Sequence, residues 1–218
     1  MRAFFAVELP DALAPAVAEV QAAFGDAEGV RLTDPAQAHC TLQFLGEVDA
    51  AGNRDDGGDG NGDADGDSNG GGNAGTDGDD RDAPTLDAVV AAGERAVERA
   101  AVEPFECAVA GLGVFPNPEY ISVVWAGFEA GGEQLTALNE ALTAETAPLG
   151  VEPDSHAFTP HVTLARVDDA RGADAVRPVV SERHPEIGRF TVEAVELVES
   201  TLTSAGAVHE TVASFPLG

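Results

Sequence analysis

Lysine is absent from this chain of 218 residues, and 11 arginines stand against 39 aspartates and glutamates. The resulting net charge of −28 excludes the broad basic field with which most proteins hold nucleic acid. A solvent of molar salt, as in halophilic archaea, offers another cause, because the Debye length at about 1 M salt is only about 3 Å. Under that screening a few local arginines suffice to hold a phosphate, and the composition therefore predicts a halophilic protein.

Cysteine and long apolar runs are also scarce. The two cysteines, Cys40 and Cys107, are too few for a disulfide framework or a zinc site, so we expect free, buried thiols in a reducing cytosol. No stretch approaches the roughly 20 apolar residues that cross a bilayer, and the first apolar run is too short for a signal peptide. The sequence predicts a cytoplasmic protein without membrane association, metal or other cofactor.

One acidic segment interrupts the globular pattern. Within 55–82, 10 of 28 residues are Asp and 10 are Gly, and no apolar side chain larger than Ala occurs. Because nothing there offsets the ordering entropy, we expect a disordered insertion over 50–84 within a single bilobal catalytic domain, 1–218. A calcium-binding EF-hand pattern begins at 65–70 but lacks its bidentate Glu, since Thr76 occupies that position.

The rest of the chain alternates between strand and helix patterns. Strands that follow one another and are joined by hairpins imply antiparallel sheets with helices on one face, which is an α+β fold. We expect Asp11 to cap the first helix and Pro178 to interrupt the last one. The predicted strands are 4–9, 39–45, 105–115, 121–128, 161–167, 190–203 and 207–215, and the predicted helices are 11–24, 85–102, 133–148 and 171–183.

The tetrapeptide pattern His-x-Thr-Leu occurs twice, at 39–42 and at 161–164. Both copies lie in strand patterns, where positions i and i+2 point to the same face, so each copy presents an imidazole beside a hydroxyl. Two strands of this kind side by side would bring two histidines and two threonines into one cleft. Two imidazoles suit general acid–base catalysis near neutral pH, and the hydroxyls suit the oxygens of a phosphoryl group.

Arg166 is the candidate cation for that phosphoryl group, with Thr41 and Thr163 as the other phosphate-binding residues. It lies five residues beyond His161, so on a regular strand its side chain would point to the face opposite that of His161 and Thr163. We expect Arg166 to reach the site only through a twist or a β-bulge.

Aromatic residues near these motifs are candidates for stacking on a base. Tyr120 and Phe115 are the two we single out, whereas Trp125 is interpreted as a core residue. Cys40 lies between two motif residues and is expected to point away from the cleft. His209, in the final hairpin, is interpreted as structural.

In combination, the motifs resemble those of the bacterial and archaeal RNA 2′,3′-cyclic phosphodiesterases, once described as 2′–5′ RNA ligases, in the two-histidine phosphoesterase superfamily. The resemblance covers the chain apart from the acidic insertion. The matching stretches are RAFFAV at 2–7, HCTLQFLGE at 39–47, FTPHVTLAR at 158–166, STLT at 200–203 and GAV at 206–208.

This resemblance implies a bilobal fold in which two antiparallel sheets face a central cleft, each contributing one motif. It implies that His161 is the proton acceptor that activates water and His39 the proton donor to the leaving O3′. The implied partners are RNA ends that carry a 2′,3′-cyclic phosphate, with tRNA fragments as one candidate class, and the product is a 2′-phosphomonoester. Three positions depart from the family pattern, since Gln43 and Glu119 stand where basic residues are frequent and His209 where tyrosine is common.

Three alternatives remain open from the sequence. The same four side chains could serve a physiological 2′–5′ RNA ligase, or a non-enzymatic module that binds nucleotides or RNA ends. A calcium-regulated protein would use the acidic insertion. We expect a monomer in each case.

Overall fold

The computed structural model describes residues 1–25, 27–50, 83–203 and 206–218. These residues form nine strands and four α-helices, arranged in two sheets. The strands are β1 (Arg2–Glu8), β2 (Val30–Leu32), β3 (His39–Glu47), β4 (Phe105–Asn117), β5 (Tyr120–Ala130), β6 (Val162–Val167), β7 (Glu186–Val192), β8 (Ala194–Thr203) and β9 (Gly206–Pro216); the helices are α1 (Ala14–Gln21), α2 (Leu86–Ala100), α3 (Gly132–Thr146) and α4 (Ala170–Glu182).

The first sheet has the strand order β3-β1-β8-β9, and every neighbouring pair is antiparallel. Alternation along the central strands places Phe5 and Leu197 on the face that α2 and α3 cover. Val89 of α2 and Leu135 and Leu142 of α3 close this core. Burying side chains of this size contributes roughly 1.5–3 kcal/mol each, which fixes the two helices on one side of the sheet.

The second sheet has the order β2-β6-β5-β4-β7, again antiparallel throughout. Val17 of α1 and Val176 of α4 are fully buried against Val124 and Leu164 on one face of this sheet. Each sheet thus carries its own pair of helices on its outer face.

The remaining faces of the two sheets meet at a cleft, where β3 of the first sheet lies beside β6 of the second. One copy of the His-x-Thr-Leu motif begins at each of these strands, with His161 immediately before β6. The predicted α+β fold, with two antiparallel sheets at a central cleft and helices outside, is confirmed. Among the described helices, none is long and apolar enough to cross a bilayer.

Several local predictions were wrong. The predicted strand 190–203 is two strands, since β7 ends at Val192 in the second sheet and β8 begins at Ala194 in the first. Asp11 does not cap α1, because a short 3₁₀ helix, Asp11–Leu13, precedes it and no side chain bonds to its first amides. Pro178 lies inside α4 without ending it.

The acidic segment 51–82 lies outside the described residues, so the predicted disorder and the calcium pattern within it are not addressed by the structure. The residues on either side are close together. Asp49 and Thr85 form an isolated bridge, in which the Leu86 amide donates to the Asp49 carbonyl and the Asp49 amide to the Pro84 carbonyl, both at 2.9 Å. A connection between these two points therefore needs only a tight turn.

We expect the acidic segment to be dispensable for turnover. Replacing 55–82 by four Gly and Ser residues should leave kcat within about twofold, because each doubling of loop length costs only about 0.6 kcal/mol in closure entropy. The shortened protein should unfold at a slightly higher denaturant concentration. Steady-state kinetics and denaturant unfolding of both proteins check this, and a tenfold loss of kcat in the folded, shortened protein would assign the segment a role at the cleft.

Candidate active site

His39 is the first residue of β3, and its ring lies on the cleft face of the first sheet. Its Nδ1 is 2.8 Å from the carbonyl oxygen of Gln37. Phe4 of β1 stacks on the imidazole, with ring centroids 5.0 Å apart and an interplanar angle of 27°. The side chain is thus held both by a hydrogen bond and by an aromatic neighbour.

His161 has the same local arrangement on the other side of the cleft. Its Nδ1 is 2.7 Å from the carbonyl oxygen of Thr159, which again lies two residues earlier in the chain. Phe115 contacts the imidazole edge-on, with centroids 4.9 Å apart at 87°, and Trp125 lies at 6.1 Å. The two histidines are therefore held by equivalent bonds, His39 at the start of β3 and His161 immediately before β6.

These bonds determine which ring nitrogen is reactive in both histidines. A carbonyl oxygen can only accept, so Nδ1 carries the proton in the neutral ring and donates it. Nε2 is then left with a lone pair, and no described residue bonds to it in His39 or His161. Each imidazole can accept a proton at Nε2 and, once charged, donate it from the same atom.

The two rings differ in how readily they become charged. Burial lowers the pKa of His39 from 6.5 to about 4; the bond to Gln37 opposes this shift, whereas charge on His209 and on His161 adds to it. Burial also lowers the pKa of His161, against an opposing effect of the bond to Thr159. Both rings are thus neutral at pH 7 in the free protein, and His39 is the harder of the two to protonate.

The lowered pKa of His39 makes stability depend on pH. The unfolded chain binds this proton near pH 6.5 and the folded chain only near pH 4, so the stabilisation is complete above pH 6.5 and is lost as the pH falls to 4. The shift corresponds to about 3 kcal/mol across that window. His39→Asn keeps an N–H donor and removes the titration. Between pH 6.5 and pH 4, the free energy of unfolding of this variant should therefore fall by about 3 kcal/mol less than that of the wild type. Denaturant unfolding at both pH values, at constant ionic strength, checks this, and parallel changes in the two proteins would contradict it.

A β-bulge in β6 places Arg166 on the same face of the strand as Thr163. Thr163 and Ala165 pair with consecutive residues of β5, so Leu164 is an extra residue in the strand. Beyond the bulge the alternation is reversed, and Arg166 shares the face of Thr163. The bulge that Arg166 needed in order to join the motif face is present.

The first motif contains a bulge at the equivalent position. Thr41 and Gln43 pair with consecutive residues of β1, which makes Leu42 the extra residue. Phe44 therefore returns to the face of Thr41, where its side chain is 59% exposed. In both copies the residue five positions after the histidine is thus placed beside the His-x-Thr pair, as a cation in one sheet and an aromatic ring in the other.

The side chains of the phosphate-binding candidates make no hydrogen bond or ion pair with the described residues. Neither the Thr41 hydroxyl nor the Thr163 hydroxyl hydrogen-bonds to another described residue. Arg166 is exposed and forms no ion pair with a described carboxylate. The other described arginines, Arg183 excepted, all form ion pairs: Arg2, Arg31, Arg95, Arg99, Arg171, Arg177 and Arg189.

The predicted stacking residues are separated by the structure. Phe115 lies in the cleft against His161 and Trp125. Tyr120 is 71% exposed at the end of the β4–β5 hairpin, and its ring contacts no aromatic ring of a described residue. Trp125, interpreted from the sequence as a core residue, lies instead beside His161, and its Nε1 is buried without a described hydrogen-bond partner.

His209, interpreted from the sequence as structural, lies beside His39 in the structure. Its ring centroid is 5.0 Å from that of His39, at 80°, and 5.2 Å from that of Phe4. It lines a pocket of about 270 Å³ beside His39, together with Glu8 and Asp11. β3 and β9 are the two edges of the first sheet and approach each other only because the sheet curls, so spacing along the chain offered no signal for this contact.

Two further residues face the core instead of the cleft. Cys40 is fully buried, as predicted, and burial raises the pKa of its thiol to about 12 against a smaller effect of a hydrogen bond from the His161 backbone. Gln43 is also buried, and its Nε2 donates to the Thr146 hydroxyl of α3 at 2.7 Å. The departure from a basic residue at position 43 therefore leaves the charge of the cleft unchanged. Within the described ranges, no group of three or more His, Cys, Asp or Glu residues could hold a metal ion.

Comparison with known proteins agrees with this geometry. A family model described as the 2′-5′ RNA ligase superfamily matches residues 9–203. The RNA 2′,3′-cyclic phosphodiesterase of Methanothermobacter thermautotrophicus is 31% identical over 100% of this chain and 99% of its own length. That of Archaeoglobus fulgidus is 28% identical over 99% of both chains. The crystal structure of the Thermus thermophilus protein TT0787 superimposes with a TM-score of 0.68 at 28% identity, covering 100% of this chain and 98% of that one. The chain belongs to the 2′-5′ RNA ligase superfamily, together with these archaeal relatives.

Proposed function

We propose that this protein is an RNA 2′,3′-cyclic phosphodiesterase that opens cyclic phosphate ends to 2′-phosphomonoesters. The main observation in support is the pair of histidines whose Nδ1 atoms donate to backbone carbonyls, which leaves both Nε2 atoms available for proton transfer. Full-length relatives that are named for this activity give independent support.

The proposed reaction requires one acceptor and one donor of a proton. His161 Nε2 takes a proton from a water molecule as the oxygen of that water forms a bond to phosphorus. The bond from phosphorus to O3′ breaks, and the O3′ atom receives a proton from His39. The products are a 2′-phosphate and a free 3′-hydroxyl, and proton exchange with solvent restores both imidazoles. Each of the two proton transfers contributes typically 10²–10⁴-fold.

His39 can act as the donor only if it is charged when the substrate is bound. A cyclic phosphate diester is anionic, and an anion beside an imidazole favours the protonated ring. Substrate binding would therefore oppose the burial that keeps His39 neutral in the free protein. The proposed roles thus imply that a bound phosphate raises the pKa of His39 well above its value in the free protein.

The remaining groups fit the oxygens and the base of such a substrate. Thr41, Thr163 and Arg166 are proposed to hold the non-bridging oxygens, since their polar atoms have no other described partner. Phe115 beside His161 and the exposed ring of Phe44 beside Thr41 are the proposed surfaces for a base. Tyr120, a candidate from the sequence, is a weaker one because of its place at the hairpin tip.

The proposal extends to the class of RNA substrate, the cellular compartment and the oligomeric state. The substrates would be RNA ends, tRNA fragments among them, and the enzyme would act as a cytoplasmic monomer in molar salt with no cofactor. Both Cys40 and Cys107 are free and buried, and burial raises the pKa of each thiol to about 12, which suits a reducing compartment.

A direct assay tests the activity. The purified protein in high-salt buffer is incubated with an RNA dinucleotide ending in a 2′,3′-cyclic phosphate, and the product is analysed by ³¹P NMR. A 2′-phosphomonoester with multiple turnover supports the proposal. Stoichiometric binding without product would favour the non-enzymatic module, and joining to an added 5′-hydroxyl RNA faster than hydrolysis would favour the ligase.

A further inference from the structure

Gln37 connects three segments of the chain around His39. It is the last residue of the 3₁₀ helix Pro35–Gln37, whose first turn is capped by Asp34. Its backbone carbonyl accepts the Nδ1–H of His39 at 2.8 Å, and its side-chain Oε1 accepts the backbone N–H of His209 at 2.8 Å. Its Nε2 donates to Oδ2 of Asp34 at 3.1 Å. The oxygen and the nitrogen of the Gln37 side-chain amide thus each form a hydrogen bond.

The strands that Gln37 connects are the opposite edges of the first sheet. His39 begins β3 at one edge, and His209 lies in β9 at the other. The sheet curls so strongly that the two imidazole centroids are only 5.0 Å apart, and Phe4 of the intervening β1 touches both rings. Gln37 closes the remaining gap between these two edges with a hydrogen bond.

No described side chain anchors the acceptor of His161 in the way that the Gln37 side chain anchors the acceptor of His39. The carbonyl of Thr159 accepts from His161 in the same way, but the Thr159 side chain makes no hydrogen bond to a described residue. Among the described aromatic rings, those of Phe115 and Trp125 contact the His161 imidazole. The support through Gln37 is thus a feature of the His39 side of the cleft.

We infer that Gln37 is a positioning residue, which holds the His39 imidazole in its reactive orientation by clasping β9 and the His209 ring against it. A carbonyl oxygen at the end of a three-residue 3₁₀ helix is a mobile acceptor unless the turn itself is anchored. The side-chain bonds to Asp34 and to β9 supply that anchor. The kinetic part of this inference rests on the proposed phosphodiesterase activity, whereas its structural part does not.

Charged groups reach His39 from several elements, so its proton affinity is a sensitive reporter of the clasp. Glu8 of β1 pairs with His39 across the sheet, and Asp11 lines the same pocket. His209 approaches from β9, and His161 from the second sheet. Any opening between β3 and β9 changes the exposure of His39 to water and its distance from His209.

The test is Gln37→Met, which keeps the length of the side chain and the backbone carbonyl but removes both side-chain hydrogen bonds. Gln43→Met is the matched control, because Gln43 lies on β3 itself but bonds to Thr146 on the core side. We expect Gln37→Met to lower kcat about tenfold with KM within about twofold, since the ring loses its orientation and the phosphate ligands are intact. The control should keep its kcat.

The spectroscopic measurement does not depend on turnover. In ¹⁵N-labelled protein, the His39 ring nitrogens should report one neutral tautomer, with the proton on Nδ1, in the wild type and in Gln43→Met. Gln37→Met should show averaged tautomers and a His39 pKa shifted upward towards 6.5. Unchanged His39 signals in Gln37→Met, or equal changes in the two variants, would overturn the inference.

A double-mutant cycle of Gln37→Met and His209→Phe tests whether Gln37 acts through the backbone of β9 or through the His209 ring. His209→Phe keeps a ring against His39 and the backbone N–H that Gln37 binds, so it should retain most of kcat. Adding Gln37→Met to His209→Phe should cost the same tenfold as in the wild type if the clasp acts through the backbone of β9. No additional loss would overturn that. If the wild type turns over no cyclic phosphate, the proposed function fails, and the NMR measurement alone still decides the role of Gln37.

Discussion

Alanine in place of either motif histidine should lower kcat by roughly 10²–10⁴-fold, the range for losing one general acid or base. His39→Ala removes the proposed donor to O3′, and His161→Ala the proposed acceptor from water. Because both rings act in one displacement, the double variant should lose less than the product of the single losses. Steady-state kinetics on an RNA dinucleotide 2′,3′-cyclic phosphate measures this, with circular dichroism to establish that each variant is folded.

The pH dependence of the two variants distinguishes the roles. An acceptor must be neutral, so its titration causes the fall in kcat at low pH, and a donor must be charged, so its titration causes the fall at high pH. His161→Ala should therefore lose the low-pH limb and His39→Ala the high-pH limb. The reverse pattern would exchange the two roles, and a folded variant with near wild-type kcat would refute the two-histidine mechanism.

The pH profiles also compare the free protein, in which the pKa of His39 is low, with the substrate complex. In kcat/KM the profile reports the free protein, where burial keeps both pKa values below 6.5. In kcat it reports the substrate complex, where the anion favours the charged ring. The optimum of kcat should therefore lie at higher pH than that of kcat/KM.

The motif residues of the site were predictable from the sequence because strand periodicity is a local property. His39 and Thr41, like His161 and Thr163, share a face whatever the rest of the fold does. That the two strands meet at one cleft was an expectation from the family resemblance and not from the repeat itself. The α+β fold followed from hairpin-joined strands with amphipathic helices between them.

Other parts of the site depend on contacts that no local pattern encodes. The strand prediction over 190–203 failed because Glu193 alone separates β7 from β8, and the chain changes sheets there without a Gly or Pro. The three-residue strand β2 is too short for its periodicity to be recognised. His209 reaches His39 only because the first sheet curls until its edges approach, and this curvature is a property of the whole sheet.

The largest effect expected outside the histidines belongs to Arg166. Arg166→Ala should lower kcat by roughly 10²–10³-fold, as for removal of one donor aimed at developing negative charge in a water-poor site. Arg31 cannot replace it, because this neighbour across β2 and β6 is held by Asp168 through two bonds of 2.6 and 2.7 Å. Arg166→Lys keeps the charge but loses the planar fork, so it should recover only part of the rate.

Arg183→Ala is the matched control, because Arg183 is likewise exposed and without a described carboxylate partner but lies at the end of α4, on the outer side of the second sheet. Its kcat should equal that of the wild type. The comparison also tests the bulge at Leu164, since without that extra residue Arg166 would point to the helix-covered face. Deleting Leu164 would confound this with misfolding, so the paired arginine variants are the cleaner experiment. A kcat equal to that of the wild type in both variants would remove Arg166 from the phosphate site. The same loss of kcat in both variants would mean that net charge, and not position, controls the rate.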